Sequence, residues 1–197
     1  MLDFTPLINK TTTPLEFSRQ LTIDDLRQIT NESIDTLLDM VNSLDDADIV
    51  YEPHDPNADD PHAVAGEEHI GWHIGHIIAH VTSSSEEWAA YSSILARGVP
   101  YPAKPRLRYE TPWREMDSYD KVVQRLEESR RMRLAFLDTW PDAPHLEIYR
   151  ELSPRFVAVF GEMNAPAAFI FGLMHEVEHY DQIREARRQA LAARTRI

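Results

Sequence analysis

The chain has 197 residues, which fits one domain, and 43% of them are apolar, an ordinary share for a folded core. With 33 acidic residues against 20 basic ones the net charge is −13, which leaves too little positive charge for a nucleic-acid face. The absence of cysteine excludes disulfides, zinc–thiolate sites and a cysteine nucleophile, and the count of only six glycines points to helices.

Residues 1–21 read as an irregular arm carrying Pro6 and Pro14. Met1 to Lys10 lacks the basic start and apolar run of a signal peptide. Thr22 then caps a first helix, expected at 22–45, with Asp24 and Asp25 in its first turn and Ile29, Ile34, Leu37, Leu38 and Val41 at helical spacing. Residues 45–65 carry Pro53, Pro56 and Pro61 and read as a long loop.

A second helix is expected from Glu67 to Ala96, stopped by Gly98-Val-Pro100. Residues 99–116 hold four prolines and form a second long connection. A third helix starts near Asp117 or Ser118 and ends before Pro141. In the third connection, Phe156 to Phe160 reads as a short strand or a buried extended segment. Asn164-Ala-Pro166 opens a fourth helix that runs to about Ala193. The arginines gather at 125–133 and 184–196, late in their helices, and read as solvated faces. The expectation is an all-α four-helix bundle with long connections, filling 22–197. No stretch approaches the roughly 20 apolar residues of a membrane helix. A soluble, cytoplasmic protein is expected, and a chain this long needs no structural metal to fold.

Chemistry concentrates in histidine. His175 and His179 lie four apart on the fourth helix, on one face, where both imidazoles can reach one ion, and Gln182 follows on that face. The apolar run Phe169 to Met174 precedes them, which places the pair mid-helix in core-like sequence. The same residues fit the zincin pattern H-E-x-x-H, but no histidine follows His179 to complete such a site. A third ligand therefore has to come from upstream. On the second helix His69, His73, His76 and His80 fall at offsets 0, 4, 7 and 11, one stripe of a helical face. His69 and His73 read as ordinary polar residues. His80, within Ile77 to Val81, lies deepest and is the best third ligand. His76, one turn earlier, either replaces it or supports it.

The pattern Gly71-Trp72 through His80-Val81, followed by His175-x-x-x-His179-x-x-Gln182-Ile183, resembles the DinB/YfiT-like metalloenzyme family. There a tryptophan starts the second helix and a histidine eight residues later binds metal, the spacing of Trp72 and His80. The family's H-x-x-x-H-x-x-Q-I signature maps onto His175, His179, Gln182 and Ile183, with Asp181 where glycine is commoner. The resemblance implies a four-helix bundle with an unusual connection, a three-histidine site on zinc or nickel, and frequently a homodimer. Some relatives use low-molecular-weight thiols for S-transfer or isomerisation.

Three neutral imidazoles leave a coordination shell open to water or to an external thiol. The function expected is thus metal-dependent hydrolysis or thiol-dependent S-transfer on a small-molecule substrate; the competing reading is a metal or small-ligand binding protein without turnover. Ser84 and Glu87 continue the His80 stripe and are expected to line the pocket. Glu176 and Glu178 are candidate general bases, and Gln182 is expected to orient a histidine or a bound water.

Overall fold

The computed structural model describes residues 2–60 and 63–194, so Pro61 and Arg196 of the expected loop and arginine group lie outside the described residues. Helices dominate: α1 (Thr5–Ile8), α2 (Pro14–Phe17), α3 (Ile23–Val41), α4 (Asp46–Ile49), α5 (Ile74–Ala96), α6 (Tyr119–Asp138), α7 (Pro154–Phe160), α8 (Ala165–Glu178) and α9 (Tyr180–Arg194). No strand occurs among the described residues, and no single helix there is long and apolar enough to cross a membrane.

The long helices begin where side chains satisfy their first amides. Thr22 accepts from Asp25 N–H while the Asp25 carboxylate accepts from Thr22 N–H at 2.7 Å, a reciprocal cap that fixes the start of α3. Asn164 caps α8 with a single bond, its Oδ1 accepting from Ala167 N–H at 3.2 Å, ahead of Pro166 in the first turn. The expected fourth helix is nearly continuous: α8 gives way to α9 at His179, whose N–H bonds Glu176 O at 3.1 Å, a tighter turn than the α-helical one.

Three sequence expectations are corrected. Phe156 to Phe160 is helical, not extended: Ser153 caps it, Pro154 occupies its first turn, and Gly161 at φ 79° ends it. These local signals outweigh the β-branched composition. The second helix starts at Ile74 rather than Glu67. Gly71 passes so close to Pro53 that a Cβ there would lie 1.9 Å from the Pro53 carbonyl oxygen, and the segment before it turns instead of coiling. Consequently the four-histidine stripe does not form. His69 is in a loop with Nδ1 2.9 Å from Ala58 O, and His73 is the N-cap of α5. Residues 2–21 are not a loose arm either, because Phe4 and Leu7 are buried in the core.

α5 packs on both α8 and α6, and α3 packs chiefly on α6. α5 is buried nearly all round, as a central helix must be, and Gly172 lets α8 press against it: a Cβ there would meet Trp88 Cβ at 2.9 Å. The core falls into two apolar clusters. One gathers Leu26, Trp88, Leu137 and Met174; the other gathers Ile34, Val81, Leu126 and Ile183. Between them, on each of α3, α5, α6 and α8, comes a polar residue: Ser33, Ser85, Ser129 with Arg133, and Glu176, all buried.

This layer is closed by an ion pair. Arg133 Nη2 donates to Glu176 Oε2 at 2.5 Å, and both side chains are fully buried. Glu176 also accepts from Ser33 Oγ and from Ser85 Oγ, the latter at 3.2 Å, while Ser129 Oγ accepts from Arg133 Nε at 3.0 Å. The arginine group at 125–133 is thus partly structural, not wholly solvated. Arg133 lies in the core and Arg125 pairs with buried Glu86. Breaking such a pair strands a charge, so Glu176→Ala is expected to cost about 3–5 kcal/mol in urea unfolding. The double replacement Arg133→Met with Glu176→Gln, which strands none, is expected to cost less. A single variant as stable as the parent would refute the account.

Candidate metal centre

α5 delivers His80 from between the buried Ala79 and Val81, and α8 delivers His175 from the end of its apolar run. His179 stands at the tightened turn between α8 and α9. The three rings form a near-equilateral triangle, with centroids 5.1 Å (His80–His175), 5.1 Å (His80–His179) and 4.9 Å (His175–His179) apart. One nitrogen from each lies within 4.8 Å of the other two. No other group of three or more His, Cys, Asp or Glu residues among the described residues has such spacing.

Burial dominates the electrostatics. It pushes His80 down to about 2 and His175 down to about 3, helped respectively by the nearby Arg108 charge and by His179. His179 is also lowered by burial, against a raising hydrogen bond to Gln182. Three neutral imidazoles result, each with a lone pair to give.

Their partners divide the roles of the ring nitrogens. Gln182 Oε1 lies 2.8 Å from His179 Nδ1; an amide oxygen only accepts, so Nδ1 carries the proton and Nε2 is left basic. His175 Nδ1 is buried with no hydrogen-bond partner, an orphaned polar atom inside the triangle's own set. At His80, Arg108 Nη2 donates to Nδ1 at 3.1 Å, and Glu110 Oε2 stands 3.8 Å from the same atom. Residues and charge state therefore fit a cation, with one adjustment. An ion on His80 Nε2 needs the ring proton at Nδ1, where Arg108 is a donor and Glu110 is the acceptor at hand.

Trp72 lies against the cluster, 4.8 Å from His80 and 6.1 Å from His179 by ring centroids. Cavities open on either side of it. One of about 410 Å³ reaches His76 and His80; another of about 270 Å³ reaches His179 and Gln182. His76 is not one of the three: it is stacked between Trp72 at 4.2 Å and Trp113 at 4.6 Å, and burial brings it down to about 4.

Other expected residues are placed differently. Glu87 is buried and does not line the cavity, but it accepts from Arg106 Nε at 2.9 Å, and Arg106 does line it. Ser84 is buried away from both cavities. Glu176 is committed to Arg133, and Glu178 is exposed and lines neither cavity. What sequence reasoning missed is Arg106, Arg108, Glu110 and Trp113, all from the proline-rich connection. The one signal was the alternation Arg106-x-Arg108-x-Glu110 in a stretch that prolines keep extended.

An all-α bundle that brings three histidines together from α5, α8 and the α8–α9 turn, with His80 and His179 on cavity walls, is the class of molecule defined here. The chain belongs to the DinB superfamily, whose family model matches residues 29–183, a span that includes all three histidines. Comparison with curated proteins and with solved structures gives no match.

The lowered histidines tie stability to pH. The unfolded rings titrate near 6.5, so below that pH unfolding takes up protons that the folded state refuses. For the ion-free protein, stability is complete above about pH 6.5 and falls as pH drops from there toward the folded values of about 2 to 4. The slope is at most about 1.4 kcal/mol per pH unit per histidine. Urea unfolding near pH 7 and near pH 5 measures it, and His80→Ala is expected to flatten the slope. Equal midpoints at the two pH values would contradict these assignments.

Proposed function

We propose that this protein is a metal-dependent enzyme in which His80, His175 and His179 hold one divalent ion, zinc or nickel, for hydrolysis or thiol-dependent transfer on a small molecule. The observation that carries the reading is the triangle of neutral imidazoles itself, one nitrogen of each within 4.8 Å of the other two, beside an open cavity. When bound, the ion would acidify a water or an external thiol that reaches it. The chain has no thiol of its own to offer.

The surrounding residues have definable tasks. Gln182 fixes the tautomer and the ring plane of His179 through the 2.8 Å contact to Nδ1. Glu110 Oε2, 3.8 Å from His80 Nδ1, is the acceptor that would hold the ring proton there with the ion on Nε2. Trp72 shields the rings from bulk water on the side where they stack. One observation favours the competing reading of ligand binding without turnover. Neither Glu176 nor Glu178 reaches the cavity, and Glu110 on its wall is paired with Arg108.

Metal analysis of purified protein is expected to find about one divalent ion per chain, lost in His80→Ala, His175→Ala and His179→Ala. Gln182→Leu is expected to weaken metal binding roughly 10–100-fold in a chelator competition, with the fold intact. Assays of thiol transfer and of ester and amide hydrolysis then separate an enzyme from a binder. A protein that takes up no ion, with His80→Ala behaving like the parent, would sink the proposal.

A further inference from the structure

Residues 106–110 run extended along the cavity mouth, with Arg106, Arg108 and Glu110 on its wall and Tyr109 facing solvent. Something holds this irregular segment in place at considerable cost. Glu87 is a buried carboxylate on α5, and it receives both Nε and Nη2 of Arg106, at 2.9 and 2.5 Å, together with the Tyr91 hydroxyl at 2.6 Å. The Tyr91 oxygen in turn accepts from Leu107 N–H at 2.9 Å. A buried charge is retained only when fully partnered. Here its partners fix the backbone and side chain of the segment that carries the two arginines.

Both guanidiniums are anchored by the same edge. Arg106 uses Nε and Nη2 on Glu87; Arg108 uses Nε and Nη2 on Glu110, with Nη2 shared by the His80 ring. Neither Nη1 has a protein partner among the described residues, and neither is a buried orphan. The carboxylates on the same wall are already engaged: Glu110 by Arg108, Glu67 by Arg114, and Asp60 is also partnered. The unspent hydrogen-bonding capacity at this end of the cavity is therefore donor capacity, on two guanidiniums whose charges are each matched by one anchoring carboxylate. Trp72 and Trp113 add flat apolar walls.

We infer that Arg106 and Arg108 form a clamp for the carboxylate of a small substrate, whose body lies in the cavity beside the Trp72–His76–Trp113 stack and whose other end reaches His80. This rests on the reading of the cavity as the substrate chamber of the three-histidine centre. One free N–H edge on each of two planar guanidiniums offers a carboxylate a donor for each of its oxygens.

The test titrates benzoate, with benzamide as its neutral match, into the full chain in chelator-treated and zinc-loaded forms, followed by NMR. Benzoate is expected to saturate both forms with a dissociation constant on the order of 1 mM. Benzamide is expected to bind about ten-fold more weakly, and inorganic phosphate not to compete. Arg106→Gln and Arg108→Gln are each expected to weaken benzoate roughly ten-fold while leaving benzamide alone. Arg155→Gln, exposed on α7 and on neither cavity wall, is expected to change nothing. Because Arg106→Gln strands Glu87, the double variant Arg106→Gln with Glu87→Gln keeps the test valid if the single one misfolds. Equal binding of benzoate and benzamide, displacement by phosphate, or indifference to both arginine changes overturns the clamp. Benzoate binding that needs zinc and is lost in His80→Ala, but not in the arginine variants, overturns the clamp and leaves the metal reading standing. Arginine-dependent binding to a chain that takes up no ion supports the clamp and removes the metal.

Discussion

A guanidinium and a carboxylate cut off from water, Arg133 and Glu176, meet where the long helices pack, and the architecture is organised around their mutual need. Two such charges gain little net stability over apolar residues of like volume, but separating them is costly. Any slippage of α6 against α8, or a shift of α3 that withdrew Ser33, would leave one of them unpaired. The apolar clusters on either side would tolerate a range of registers; the polar layer tolerates one. Glu176 is also the neighbour of His175 and the acceptor for His179 N–H, so the register fixed by the pair is the register of the histidine cluster.

The same trade between burial and partnering shapes the site itself. Imidazoles near neutral pH titrate easily in water, but here burial removes that freedom and leaves bases without protons. Two of the rings have found hydrogen-bond partners, Gln182 and Arg108, and His175 Nδ1 has not. That nitrogen is one of six buried polar atoms without a partner among the described residues, and the one that belongs to the histidine triangle.

The sequence made some of this legible. His175 and His179 share a helical face and follow an apolar run, and His80 is framed by isoleucines and valine, so periodicity and burial together pick out the residues that converge. It misplaced the start of α5, because the histidines before Ile74 continue the helical spacing while the docking of Gly71 on Pro53 is a tertiary contact with no local signature. It read Glu87 as a pocket residue for its position on the stripe. The actual role, anchoring Arg106 from beneath, depends on where a loop nineteen residues later folds back. Loops that dock by side-chain ion pairs obey no period, and so Arg106, Arg108 and Glu110 escaped.

Trp72 stands like a mullion in front of the histidines, with an opening to each side: toward His80 on one flank and toward His179 on the other. Whatever fills one opening therefore leaves the other clear, and the His80 and His179 flanks can be occupied independently.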